Sequence, residues 1–317
     1  MKIRKGLLQY LPPQATVAMR LEVAGGGNAE FNALGPGDRV TVLVVLAHDK
    51  EREVAASARV TLAGFEAADL VTALEGPLDP LVIKSIVAMN REEDPVLVMA
   101  ALNPATDSAT IKELARTGPE EVVVVLMEDR KRLAADLSII DALRVNPLAP
   151  ARALDNLKAT VEVAAASGAH GHAGHRPEDE EGLNLYQRVQ RMDVSGKMKL
   201  AFMGDKEARG LLIKDSNKIV AIAVLKNPRI SDEEISRLAE SKSVSEELMR
   251  YIATKKEWLK NYTIKLGVIK NPKTPLKMAL KFLDGLNEKD LQKLGKNKNV
   301  SSVLASAARR KFDMRRH

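Results

Sequence analysis

At 317 residues and 45% apolar content the chain can bury a core in each of two ordinary domains. Aromatics make up only 3%, so Leu, Val, Ile and Ala must fill those cores, as they do between closely spaced helices. Cysteine is absent, which excludes disulfides, thiolate metal sites and cysteine nucleophiles and is compatible with a reducing cytoplasm.

The formal net charge of +7 is unevenly spread: residues 1–180 carry 19 Lys and Arg against 26 Asp and Glu, and 181–317 carry 30 against 16. The second half is therefore a candidate surface for phosphates, acidic lipids or an acidic protein, or else a face kept soluble by its lysines.

In chain order, Lys2, Arg4 and Lys5 precede a short apolar stretch that ends at Pro12-Pro13, too short for a signal segment or a membrane span, so a cytoplasmic location is expected. Gly25-Gly26-Gly27-Asn28 and Gly35-Pro36-Gly37 would interrupt any regular element, and Ala24 to Gly37 reads as a mobile loop within an N-terminal segment, 1–37. Residues 38–163 read as an acidic helical-repeat block. Its runs Val40–Leu46 and Val122–Met127 favour strands by propensity. The second run, however, is entered through Gly118-Pro119-Glu120-Glu121, with Pro and acids where a helix first turn wants them, and both are read as buried helices. At 164–182 the periodicity gives way to AAASGAHGHAGHRPEDEEG, a flexible linker. Residues 183–317 form a basic helical-repeat block with a basic tail.

Four Asn-Pro dipeptides punctuate the blocks: Asn103-Pro104, Asn146-Pro147, Asn227-Pro228 and Asn271-Pro272, the first two asparagines 43 positions apart and the last two 44. Asn tolerates the left-handed conformation that ends a helix and Pro cannot continue one, so each reads as a helix stop. Starts follow: Ser231 with Glu234 as a capping box, Thr274-Pro275 as a cap and first residue, and Asn287 ahead of Asp290. Ile235, Leu238 and Ala239, then Leu248, Tyr251 and Ile252, keep helical spacing. A period of about 40 residues built from helix pairs is the mark of an all-α solenoid.

Leu46-Ala47-His48-Asp49-Lys50-Glu51-Arg52-Glu53-Val54-Ala55 through Leu62 resembles a HEAT-type repeat. Ala101–Thr106 and Ala223–Pro228 resemble the boundaries of leucine-rich-repeat-variant units, and the segment from Asp205 to Pro275 resembles that class most closely. The likeness spans about two thirds of the chain and its motifs mark architecture more than activity. It implies a right-handed stack of helices used as a binding surface, in two blocks joined by the linker. Variant-repeat proteins also hold an iron–sulfur cluster on cysteines. That cofactor does not carry over to a chain with none, and no cofactor is expected.

Phosphate-loop, dinucleotide, zincin and nucleophile-elbow motifs are missing, which argues against an enzyme. Of five histidines, His170, His172 and His175 lie in the linker as H-x-H-x-x-H, a weak candidate for a divalent ion and otherwise a polar spacer. Phosphate or partner contacts are expected from Lys255, Lys256, Lys260, Lys273, Lys277 and Lys281 and from Arg309, Arg310 and Lys311, with Lys273, Lys277 and Lys281 spaced to line one helix face. The expected function is a non-catalytic scaffold for protein–protein interaction. The alternative is a nucleic-acid-binding module using the lysine-rich block, and an enzyme ranks third.

Overall fold

The computed structural model describes residues 3–167 and 183–316, with side chains described for 3–161 and 183–315. The candidate metal residues His170, His172 and His175 lie outside the described residues. By backbone contact the chain divides into unit 1, Met1–Leu211 with Lys226–Pro228, and unit 2, Leu212–Leu225 with Arg229–His317.

Every element among the described residues is helical. After a 3-10 turn at Lys5–Tyr10, unit 1 runs through α1 (Val17–Ala24), α2 (Ala29–Asn32), α3 (Pro36–Leu46), α4 (Arg52–Ala63), α5 (Ala67–Glu75) and α6 (Pro80–Met89). It continues with α7 (Asp94–Leu102), α8 (Ser108–Thr117), α9 (Glu120–Glu128), α10 (Arg130–Ala135), α11 (Ser138–Val145) and α12 (Ala151–Ser167). Then come α13 (Leu185–Arg191), α14 (Val194–Met203) and α15 (Lys206–Leu212), whose last residue falls in unit 2. Unit 2 holds α16 (Lys218–Leu225), α17 (Asp232–Glu240), α18 (Glu246–Thr254), α19 (Lys256–Lys260), α20 (Tyr262–Lys270), α21 (Leu276–Phe282), α22 (Glu288–Gly295) and α23 (Ser302–Arg316).

Packing follows chain order. In unit 1, α3 packs on α4 and α5, α5 on α7, α7 on α9, α8 on α11, and α14 closes on α5, α7 and α9. In unit 2, α17 packs on α20, α20 on α21, and α22 on α23. Ile269, Ala279, Leu283, Leu286, Leu291, Leu294, Leu304 and Ala308 form the buried core of its C-terminal end.

The valine-rich runs are helical, as expected. In α3, Val40, Val42, Leu43 and Leu46 are fully buried among neighbouring helices, and in α9 Val122, Val123, Val125 and Leu126 are buried. Burial on most sides suits a short apolar helix, so packing overrides β propensity.

The mobile-loop reading of Ala24–Gly37 is corrected. Asn28 caps α2 by accepting from the Phe31 N–H at 2.9 Å, and Phe31 is buried edge-on against Tyr10, with ring centroids 5.6 Å apart. Gly35 is the N-cap of α3 and Pro36 its first residue, where a missing N–H costs nothing. These glycines and prolines mark helix ends instead of a loop.

The Asn-Pro stops are real, but their mechanism is different from a left-handed cap. No described non-glycine residue has positive φ. Asn103, Asn146 and Asn271 are extended, with ψ of 124°, 123° and 126°, as a following proline demands. All four asparagines are buried, and the side chain ends the helix by tying it to another. The Asn146 amide donates to Ala115 O at 3.0 Å and Gly118 O at 2.9 Å, and that of Asn271 to Ala239 O at 2.8 Å and Ser241 O at 2.9 Å. The Asn103 amide does the same to Leu74 O and Gly76 O, and the Asn227 amide reaches Ala201 O at 2.7 Å. Each acceptor is a carbonyl from the last turn or cap of an earlier helix, a group no helix can satisfy for itself. The Asn103, Asn146 and Asn271 side-chain oxygens accept from the N–H two residues on, closing the turn.

Candidate interaction surface

Cations serve the two units differently. In unit 1 many are consumed by the fold. Arg20 lies beside Asp49, Nε to Oδ2 at 2.9 Å, with both side chains nearly buried, and its Nη1 donates to Ala15 O at 2.8 Å. Arg59 Nη2 donates to the α3 cap carbonyl Ala47 O at 2.9 Å, and Arg132 donates to Ala101 O and Asn103 O at the end of α7. Burial pulls the Arg132 guanidinium below its ordinary range, against the opposing charge of Asp129.

Lys226, also in unit 1, is largely enclosed, its side chain 14% exposed. Its ammonium sits 2.8 Å from Asp94 Oδ2 and contacts Glu121 Oε1, whose side chain is 4% exposed. Burial alone would lower its pKa. The charge of Glu121, with hydrogen bonds to Asp94 and Glu121, outweighs burial and holds it above the lysine range.

In unit 2 the sequence candidates separate into working and spare cations. Arg309 Nε donates to Gly295 O at 2.6 Å, and Lys311 pairs with Asp284. Lys255 rides 5.1 Å above the Tyr251 ring. Lys256, Lys260, Lys277, Lys281 and Arg310 are exposed. The three-lysine face is corrected: α21 begins at Leu276, so Lys273 lies in the Asn-Pro turn and only Lys277 and Lys281 share a helix face. The Thr274 hydroxyl likewise is no cap, because it donates back to Val268 O at 2.5 Å.

Lys289 and Lys293, which the sequence reading passed over, are exposed on α22. Their four-residue spacing was the available signal. The Tyr262 hydroxyl donates to Asp290 Oδ2 at 2.6 Å and accepts from the Asn287 N–H at 3.2 Å, fixing the start of α20 against the start of α22. The Asp290 carboxyl is held low by that hydrogen bond first, then by Asn287 and by the charges of Lys270 and Lys293.

A cleft of about 210 Å³ in unit 1 is lined by Arg4, Asp38, Thr72 and Asp79. One of about 200 Å³ in unit 2 is lined by Lys270, Pro272, Leu276, Val300 and Ser301. Among the described residues no cluster of three or more His, Asp or Glu could hold a metal ion, and no helix is long and apolar enough to cross a membrane. Protein-family models, curated proteins and solved structures return no match to the chain.

Proposed function

We propose that the protein is a non-catalytic helical-repeat scaffold that presents helix faces to a protein partner. The observation that carries this reading is the repeated unit itself. The four helices α8–α11 end in a buried asparagine tied to the first helix of the set, and α17–α20 end the same way. A helix set that recurs in the chain and is tied internally in this way offers exposed helix faces to a partner more readily than an enclosed pocket. The right-handed, HEAT-like stacking implied by the resemblance is part of the reading for each unit.

Among the exposed apolar side chains of unit 1, Leu81 and Met89 on α6 at 56% and 44% exposure and Val145 on α11 at 68% are offered as partner anchors. A photo-crosslinking residue placed in turn at 81, 89 and 145 of the full chain in its host cell tests this. The scaffold reading expects one discrete protein adduct shared by neighbouring positions and lost in Leu81→Asp/Met89→Asp at unchanged melting temperature. Adducts that survive that change, or none from any position, would sink it.

A further inference from the structure

We propose that unit 2 carries a second binding activity: a nucleic-acid backbone docks on the lysines of α19 and α22, around the Tyr262–Asp290 hydrogen bond. Residues 255–317 hold 17 Lys and Arg against 5 Asp and Glu, far more charge than solubility of so short a segment asks for. Charge alone does not place a site. Three features of the fold do.

First, the bond from Tyr262 to Asp290 brings two lysine-bearing segments together. Lys260 lies two residues before Tyr262, and Lys256 one helical turn before Lys260. Lys289 adjoins Asp290, and Lys293 is three residues on, along the same face of α22. The Asp290 carboxylate is occupied by the tyrosine, with Lys270 and Lys293 close enough to act on its charge, while Glu257 and Glu288 stand exposed on the same two helices. Second, Lys256, Lys260, Lys289 and Lys293 are exposed, and none makes an ion pair within the described residues, whereas Arg309 and Lys311 nearby are committed to Gly295 O and Asp284. Third, the exposed side chains of α19 and α22 are all charged or polar, Lys256, Glu257, Lys260, Glu288, Lys289, Gln292 and Lys293, and the exposed aromatic beside them, Tyr262 at 36%, has its hydroxyl tied to Asp290. A protein interface centres on apolar and aromatic anchors, and a lipid-binding helix needs an apolar face. Ammonium groups repeated at one-turn intervals, about 6 Å apart along each helix, suit instead a polymer whose charge is evenly spaced.

Lysine is a mobile point charge and the surface is built from helix sides, so the contacts read phosphate and not base. Binding should therefore be insensitive to sequence and steeply dependent on salt.

The test is fluorescence anisotropy of the full chain with a labelled duplex DNA, an RNA strand of equal length and a polyglutamate peptide, from low to physiological salt. The expected result is binding of both nucleic acids. In Lys256→Glu/Lys260→Glu/Lys289→Glu/Lys293→Glu, affinity should fall at least tenfold, and the logarithmic salt slope on duplex DNA should flatten by about 3 to 4, near 0.9 per lost phosphate contact. A control with equal charge change on unit 1, Arg52→Glu/Lys84→Glu/Arg116→Glu/Lys131→Glu, should keep most of the affinity. Circular dichroism and melting of both variants separate misfolding from lost contact. Equal losses in the two variants would reduce the effect to net charge and overturn the site. So would nucleic-acid binding that is absent at low salt, or weaker than polyglutamate binding.

Discussion

The helix sets α8–α11 and α17–α20 are the same device built twice with different surfaces. Each runs through a first helix capped by Asp107 or Ser231, a second opening on two glutamates, a five- or six-residue third, and a fourth ending in a buried Asn-Pro. The frame of backbone and amide is held constant, and the charged side chains are free to differ. Glu121 and Glu247 occupy the same place, the second residue of α9 and of α18. In unit 2 Glu247 pairs with Lys218, the first residue of α16, on the open surface. The corresponding first residue of α7 is Asp94, a like charge, and the conflict is resolved by Lys226, which reaches both carboxylates. One position thus carries an exposed surface pair in one unit and a largely enclosed triad in the other.

The largest effect should come where the two sets are alike. Asn146→Asp and Asn271→Asp keep the shape of the strap but turn a donor that serves two carbonyls into a buried charge facing them. Each should lose about 4 to 5 kcal/mol, read from urea midpoints at constant m-value. A loss below about 1 kcal/mol at either site would mean that the strap does not hold the frame. Strong loss at one and none at the other would break the equivalence of the sets.

That strap was half legible in the sequence. The four Asn-Pro pairs and their spacing stand out, and they locate helix ends correctly. What they do not reveal is the partner, because Ala115 and Gly118 lie about 30 residues back and carry no signature of being acceptors. Local chemistry was easier: Ser231 and Glu234 form their capping box within one turn, and α9 is helical as its entry residues suggest. Gly35-Pro36 misled because a helix start and a loop share the same residues. The Lys226 triad was invisible, with Lys226 and Glu121 105 positions apart in the chain. The lysines of α22 were within reach by spacing alone, but only the Tyr262–Asp290 bond joins them to α19.

The next effect separates the units. Lys226→Met leaves Glu121 buried beside Asp94 without a counter-charge, and should cost about 3 kcal/mol at neutral pH. Glu247→Gln, at the equivalent exposed position, should leave the midpoint unchanged within error. The sign with pH follows from the raised pKa of Lys226. A lysine held above its unfolded value of about 10.4 contributes stability fully below that pH and loses it as pH rises through the folded value. Wild-type stability should therefore fall more steeply than that of Lys226→Met in alkaline titration, and parallel curves would contradict the triad.

A smaller difference lies at the first-helix cap. A Cβ on Gly118 would sit 2.5 Å from Leu114 O and 2.9 Å from Val122 Cγ1, so backbone must move. Gly118→Ala should cost about 2 kcal/mol. Its counterpart is Ser241, which already carries a side chain in an opened turn, with ψ of 125° where Gly118 has 162°. Ser241→Ala should be near neutral, and a Gly118→Ala variant as stable as wild type would show that α8 and α9 can part without cost.

The smallest effect concerns how each first helix begins. Asp107 accepts from the Thr110 N–H at 2.8 Å and from its hydroxyl at 3.1 Å, and its charge lies at the positive end of α8. Ser231 accepts from the Glu234 N–H at a long 3.4 Å, while Glu234 returns the bond to the Ser231 N–H at 3.1 Å. Asp107→Ala should therefore cost about 1 kcal/mol and Ser231→Ala about half as much, because Glu234 keeps its end of the box. Salt divides the two further. Raising ionic strength should shrink the Asp107→Ala penalty, part of which is charge against the helix dipole, and leave that of Ser231→Ala unmoved. If both penalties shrank alike, the serine cap would be acting only by placing Glu234, and the two starts would be one electrostatic device in different dress.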